Sequence, residues 1–316
     1  MSIKQQMEQE KDRKIQSLFG QIMAGVVFFA FGALVLGGLG FALGWALYGS
    51  SGMTGFLEGD TPTPEGVNAM RILQAGYALG GFLIAALAAN IFIGYSNRKL
   101  FHIDFPVSQW LLSFIIPLAA LPGIMFLGWL NENIPFPNGL SHLREMLLAN
   151  DEQGIEMMMR LLAQNSTVDF IVNLLLIAVL PAVAEELFFR GYLQRVLQNK
   201  MSVHAAVWIT ALVFSLFHLQ YSGFLPRLFL GAVLGYIFVW SKSLWPSIIL
   251  HFTNNAAAVF AVFFYGPEMM NQDPEELAGG NTFFVSSAIS VVLSALLIFA
   301  FYQIGKPHSN LKKRES

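Results

Sequence analysis

Residues 174–194 read LLLIAVLPAVAEELFFRGYLQ, and this stretch decides how the rest of the chain is interpreted. It is apolar enough to belong to a membrane-spanning helix, yet it carries the adjacent carboxylates Glu185 and Glu186 and then Arg190. An ionisable side chain at membrane depth is energetically expensive and by default indicates a functional site. The stretch therefore predicts a helix that places charged groups inside a bundle of other helices.

Helical spacing separates the two carboxylates. Glu186 and Arg190 are four residues apart, so they share one helix face in the order that favours an ion pair. Glu185 points about 100° away from Glu186 and has no cation at that spacing. Burial without a counter-charge disfavours its ionised form, and a carboxylate in this situation suits a general base. Pro181 lacks a backbone N–H, so the carbonyl of Ile177 loses its helical partner and we expect the helix to kink there.

The composition indicates a polytopic membrane protein. Of 316 residues, 55% are hydrophobic and only 12% are charged, whereas soluble domains have about 25% charged residues. Cysteine is absent, which excludes disulfide bonds and thiol catalysis. We expect the lipid bilayer, and no nucleic acid, as the surroundings of this chain.

Apolar runs of about 20 residues, the length that crosses a bilayer, recur along the sequence. They predict an all-α, polytopic transmembrane helix bundle of about eight spans. Loops with Lys and Arg alternate with loops that lack them, so the positive-inside rule places both termini in the cytoplasm. Arg227 does not fit this alternation. The predicted spans are 20–48, 70–95, 107–130, 168–190, 203–220, 224–241, 244–265 and 282–304.

Two further apolar runs contain polar side chains. His218 ends the sequence FSLFH, and His251 and Asn255 begin and end the sequence HFTNN. If the fourth and fifth spans form a hairpin that turns near Lys200, Glu185 and His218 lie at the same depth, because a helix rises 1.5 Å per residue. We therefore expect Glu185, His218 and His251 to line one cavity.

Two glutamates, two histidines and an asparagine suit the activation of water. One carboxylate accepts a proton from water, and the histidines orient that water or bind a metal that polarises it. Asn255 is placed to donate to the oxyanion of a tetrahedral intermediate. His218, His251 and a carboxylate are also the ligand set of a catalytic zinc site. Since the helical HExxH signature of zinc proteases is absent, we favour the account that requires no metal.

These residues also carry a family resemblance. EELFFR, FSLFH and HFTNN fit the motifs EExxxR, FxxxH and HxxxN in that order. In them the chain resembles the CAAX-protease and bacteriocin-processing (CPBP, Abi-like) family of intramembrane proteases. The resemblance implies an all-α bundle that cleaves peptide bonds in membrane-embedded or lipid-anchored polypeptides. It implies Glu185 as the base that activates water, His218 and His251 as its partners, Asn255 as the oxyanion donor, and Glu186 and Arg190 in support.

The loop charges and the resemblance together suggest how the chain is divided, with the resemblance covering only the core. Residues 1–19 are a cytoplasmic segment, and 20–167 hold the first spans and an amphipathic loop. Residues 168–265 are the CPBP-like protease core, and 266–316 hold the last span and a basic cytoplasmic tail. The loop at 131–167 either lies on the membrane surface, caps the bundle or connects spans in solvent.

Several functions are compatible with this sequence. The favoured one is an intramembrane endopeptidase of the bacterial inner membrane, acting in CAAX-type processing, peptide maturation or bacteriocin immunity. The first alternative is a proton- or ion-coupled transporter whose Glu and His side chains relay protons. The second alternative is a membrane scaffold without catalytic activity.

Overall fold

The computed structural model describes residues 17–54, 63–136, 138–163, 166–272, 275–276 and 279–305, and the regular structure in these ranges is helical. Short 3-10 turns connect the long helices at Arg98–Phe101, Asn138–Leu140 and Pro267–Asn271. The long helices are α1 (Leu18–Thr54), α2 (Pro64–Phe92), α3 (Val107–Asn133), α4 (Ser141–Leu162), α5 (Thr167–Gln198), α6 (Val203–Phe217), α7 (Phe224–Ser241), α8 (Leu244–Tyr265) and α9 (Asn281–Gly305).

The predicted all-α, polytopic bundle is confirmed, although one span is shorter than expected. Seven helices, all except α4 and α6, are long and apolar enough to cross a membrane. Helix α6 is apolar but has only 15 residues, whereas about 20 are needed to span the hydrocarbon core. It ends at Phe217 because the chain turns sharply at Leu219, whose φ is 51°.

Helix α5 carries both glutamates and is irregular at two places. A regular segment, Leu180–Phe188, lies between the π-helical segments Leu174–Val179 and Phe189–Gln194. Pro181 is at the start of the regular segment and cannot donate to the preceding turn. The disruption expected at Pro181 therefore takes the form of a wider helical turn, a feature that often accompanies functional sites.

The largest core surrounds α5. Its buried side chains come from α2, α5, α6, α7 and α8, so the helix that carries the glutamates contacts most of the bundle. The Tyr192 hydroxyl of α5 also donates a hydrogen bond to the Gln21 carbonyl of α1. Prominent core members are Phe82, Phe189, Tyr192, Phe214, Phe238 and Leu244.

Helix α4 caps the bundle, which is one of the three arrangements considered for the loop at 131–167. Its buried Asp151 accepts hydrogen bonds from the backbone N–H groups of Tyr221 and Ser222 at 2.8 and 2.7 Å. Asn150 donates to the carbonyl of Leu219 at 2.6 Å. Helix α4 is thus fixed over the loop between α6 and α7.

The predicted cytoplasmic ends fall mostly outside the described residues. The structure describes only residues 17–19 of the N-terminal segment 1–19, and it does not describe the basic tail from 306 onward. The orientation of the termini and the division into four parts therefore stay predictions.

Helices α1 and α2 approach each other so closely that their backbones touch. A Cβ atom added to Gly80 would overlap the carbonyl of Gly32, and one added to Gly32 would overlap the carbonyl of Gly80. Small residues at such positions permit close contact between membrane helices. Gly38, also in α1, faces outward, and a Cβ there would meet no atom within 4 Å.

We expect Gly80→Ala to destabilise the protein by about 1–3 kcal/mol, because overpacking forces the backbones apart. The measurement is thermal unfolding in detergent. Gly38→Ala is the matched control and should keep or slightly raise stability, since alanine favours a helix more than glycine does. Equal stability of the two variants would show that the contact between α1 and α2 is not close in solution.

Candidate active site

The carboxylate of Glu186 is fully buried at the site. Its Oε1 accepts a hydrogen bond from Nη1 of Arg190 at 2.6 Å and another from Nδ1 of His251 at 2.9 Å. Glu186 and Arg190 are both 0% exposed, and His251 is 3% exposed. The ion pair predicted from the spacing is therefore present, and it includes an imidazole from α8.

Arg190 also connects α5 to α6 and α7. Its Nη2 donates to the carbonyl of Gly231 in α7 at 3.0 Å. Its guanidinium carbon lies 4.8 Å from the centre of the Phe214 ring in α6, a cation–π contact. A Cβ at Gly231 would lie 3.1 Å from the Ala211 backbone, so this glycine lets α7 approach α6.

Glu185 has different surroundings. Its side chain is 17% exposed and lines a cavity of about 490 Å³. Its Oε2 lies 3.9 Å from Nε2 of His251, which is too long for a direct hydrogen bond. One imidazole therefore faces both carboxylates, Glu186 through Nδ1 and Glu185 through Nε2.

The hydrogen bonds of the two histidines determine which nitrogen carries the proton. Nδ1 of His218 lies 2.8 Å from the carbonyl oxygen of Phe214, and a carbonyl only accepts, so Nδ1 must donate. Nδ1 of His251 donates to the Glu186 carboxylate by the same reasoning. In its neutral form each ring then keeps a lone pair on Nε2, which suits it to accept a hydrogen bond.

Asn255 joins α8 to the irregular part of α5. Its Nδ2 lies 3.4 Å from the carbonyl oxygen of Ile177, the carbonyl that Pro181 leaves without a helical partner. Its Oδ1 accepts from Nδ2 of Asn254 at 3.2 Å. One N–H of the Asn255 amide is thus directed at α5, while the residue also lines the cavity.

The structure divides the six predicted site residues into two groups. Glu185, His218, His251 and Asn255 line the cavity. Among the described residues, Glu186 and Arg190 do not line it and lie behind it. Three further polar residues line the cavity but were not predicted as site residues: Gln74, Arg227 and Asn254. Each of them interrupts an apolar run, and this is the sequence signal by which they could have been found.

The metal dependence of the site stays a prediction. In the part of the chain that the structure describes, no group of three or more His, Asp or Glu side chains converges closely enough to hold a metal ion. A catalytic zinc site needs three protein ligands at about 2.0–2.3 Å from the metal.

Comparison with known proteins agrees with the three motifs. The sequence model of the Rce1-like family, type II CAAX prenyl endopeptidases, matches residues 167–257, which is less than half of the chain. No curated protein and no solved structure matches the chain significantly. The matched segment contains both glutamates, Arg190, both histidines and Asn255. The family resemblance is therefore confirmed for residues 167–257, the segment that matches the sequence model of the Rce1-like family.

Proposed function

We propose that this protein is an intramembrane endopeptidase that hydrolyses peptide bonds with Glu185 as the general base. One observation carries the proposal. Of the two adjacent carboxylates, Glu185 lines the cavity together with both histidines and Asn255, whereas Glu186 is fully buried. Only Glu185 is therefore accessible to a substrate and to water.

The first step is attack by water. We place the attacking water beside the 3.9 Å gap between Glu185 and His251. There it donates one hydrogen bond to Oε2 of Glu185 and contacts the lone pair of a histidine Nε2. Glu185 takes one proton from this water while the water oxygen bonds to the carbonyl carbon of the scissile peptide. The electron pair of the carbonyl double bond moves to its oxygen and produces an oxyanion.

The second step is collapse of the tetrahedral intermediate. The amide of Asn255 has two N–H bonds, and the one that does not face Ile177 is available to donate to the oxyanion. When the carbonyl re-forms, the C–N bond breaks and Glu185 returns its proton to the leaving nitrogen. The immediate products are a carboxylic acid, which keeps the second proton of the water, and an amine, and Glu185 is ionised again. Transfer of the acid's proton to the amine then gives a carboxylate and an ammonium group.

Glu186 and Arg190 act as positioning residues in this account. Glu186 fixes the orientation of the His251 ring through Nδ1, and Arg190 balances the charge of Glu186. An acidic partner that orients a histidine and fixes its tautomer is a recurrent arrangement in enzymes. Neither side chain touches the substrate.

The lining of the cavity supports an apolar peptide as substrate. Apart from the polar residues of the site, the wall consists mainly of aliphatic and methionine side chains, including Leu176, Leu230, Val262, Met158 and Met269. A membrane-associated or lipid-anchored polypeptide supplies such a segment directly from the bilayer. Of the roles considered, CAAX-type processing is the one that the family match favours.

We expect Glu185→Gln to reduce kcat by about 10²–10⁴-fold, the usual contribution of a general base, because glutamine cannot accept the proton. The assay is cleavage of an internally quenched, farnesylated CAAX peptide by the purified protein in detergent. Thermal unfolding of the variant should match that of the unaltered protein. Glu145→Gln, on the exposed surface of α4, is the control and should leave cleavage unchanged. Turnover close to normal in Glu185→Gln would reject the assignment.

We expect cleavage to survive strong chelation, because the histidines and carboxylates do not converge into a three-ligand site. The measurement is activity after treatment with a zinc chelator, together with the zinc content of the purified protein. About one zinc per chain that tracks activity, and that disappears in His218→Ala and His251→Ala, would contradict this expectation.

A further inference from the structure

Helix α2 supplies part of the cavity wall, although it lies outside the segment that matches the family model. Its contribution is Gln74, whose amide interrupts the apolar run of this helix. Within the described residues, the side chain of Gln74 forms no hydrogen bond. A polar group among apolar side chains is costly when it has no partner. The amide is therefore suited to a partner that comes from outside the chain.

Two contacts fix α2 against α5 on either side of Gln74. One turn before it, Nη2 of Arg71 donates a buried hydrogen bond to Oδ1 of Asn173 at 2.9 Å. Farther along, the ring of Phe82 packs edge-on against the ring of Phe188, with 5.7 Å between the centroids. The two helices therefore run in the same direction between these contacts. A side chain on a helix that is fixed in this way is preorganised and loses less entropy when it binds a ligand.

The same contacts set the height of Gln74 relative to Glu185. Gln74 lies three residues after Arg71, and Ile177 lies four residues after Asn173, so the two are at about the same level at 1.5 Å per residue. Glu185 lies eight residues after Ile177, which is about 12 Å along α5. Since an extended peptide advances about 3.3 Å per residue, this distance corresponds to about three to four residues of a bound peptide.

A peptide that enters this cavity brings main-chain groups that need partners. Hydrolysis requires access to the carbonyl carbon, so the peptide is extended there and its N–H and C=O groups are free of helical hydrogen bonds. The wall around them is mainly aliphatic and offers few partners. A glutamine amide has one C=O and two N–H bonds, so it can pair with a peptide group much as a neighbouring strand does.

We propose that Gln74 binds the main chain of the substrate about three to four residues from the scissile bond. This inference rests on the proposed peptidase function and adds a substrate-binding residue from a helix that the family match does not include. Because the contact is made to the main chain, it holds peptides of different sequence in one register at Glu185. Gln74 takes no part in the proton transfers.

The test measures peptide binding to full-length Glu185→Gln protein in detergent, so it does not depend on turnover. The probe is the farnesylated CAAX peptide, compared with a series in which one main-chain amide at a time is replaced by an ester. An ester lacks the N–H, and its carbonyl is a weaker acceptor. One ester, about three to four residues from the scissile bond, should weaken binding about 3- to 10-fold, the strength of one hydrogen bond.

Adding Gln74→Leu should weaken binding of the amide peptide by the same factor, and that ester should then bind as well as the amide peptide. Gln74→Met, which has a similar length and no amide, should give the same result. Gln303→Leu, on the exposed surface of α9, is the matched control and should keep the sensitivity to the ester. Thermal unfolding of each variant shows whether it is folded. If Gln74 only packed α2 against α5, its loss would weaken amide and ester peptides equally.

Three results would overturn the inference: no binding of the amide peptide, equal affinity for the amide peptide and every ester, or an ester effect that persists in both Gln74 variants. Hydrolysis by the unaltered protein is measured separately. An ester effect that depends on Gln74, without hydrolysis, would reject the proposed function while the binding role of Gln74 stands. Hydrolysis without such an ester effect would reject the binding role and leave the proposed function in place.

Discussion

The site depends on the buried charge of Glu186. Removing a carboxylate from water costs several kcal/mol, and the cost is repaid only by close, hydrogen-bonded partners. Arg190 and His251 supply them at 2.6 and 2.9 Å. Because Arg190 also donates to the carbonyl of Gly231, this one carboxylate connects α5, α7 and α8. The helices that form the cavity are therefore positioned by the group that lies behind it.

The two adjacent glutamates have different roles in the proposed function: Glu186 positions His251, and Glu185 is the general base. One residue step rotates the side chain by about 100°, so Glu186 points into the bundle while Glu185 points into the cavity. His251 lies between them, with Nδ1 on Glu186 and Nε2 toward Glu185. Glu186 thus fixes the orientation of the His251 ring from the buried side. The lone pair on Nε2 then faces the cavity that Glu185 lines.

Much of this arrangement follows from local helical geometry and was predictable. The pairing of Glu186 with Arg190 requires only a spacing of four residues, and the loss of a helical bond at Ile177 requires only Pro181. The contact of His251 with Glu186 depends on how α8 packs against α5, which periodicity does not specify. The same limit applies to Arg227, whose place at the cavity depends on the loop that α4 and α3 hold.

The length of α6 is another feature that the sequence predicts only in part. The sequence indicates that apolar character ends soon after His218, but it does not distinguish a short helix from a loop that enters the bundle. The structure shows a short helix, after which Leu219 turns the chain and Asp151 of α4 binds the loop. The helix that caps the bundle also contributes Met158 and Leu162 to the wall of the cavity that His218 lines.

The most direct test of the central claim is a double-mutant cycle on Glu186 and Arg190, read by thermal unfolding in detergent. Arg190→Ala leaves a carboxylate unpaired in the bundle and should cost about 3–5 kcal/mol of unfolding free energy. Adding Glu186→Gln should restore part of that loss, because the stranded charge is removed. Arg144→Ala, on the exposed face of α4, is the control for the loss of a positive charge. Independent, additive losses from the two changes would contradict the pairing on which the site is built.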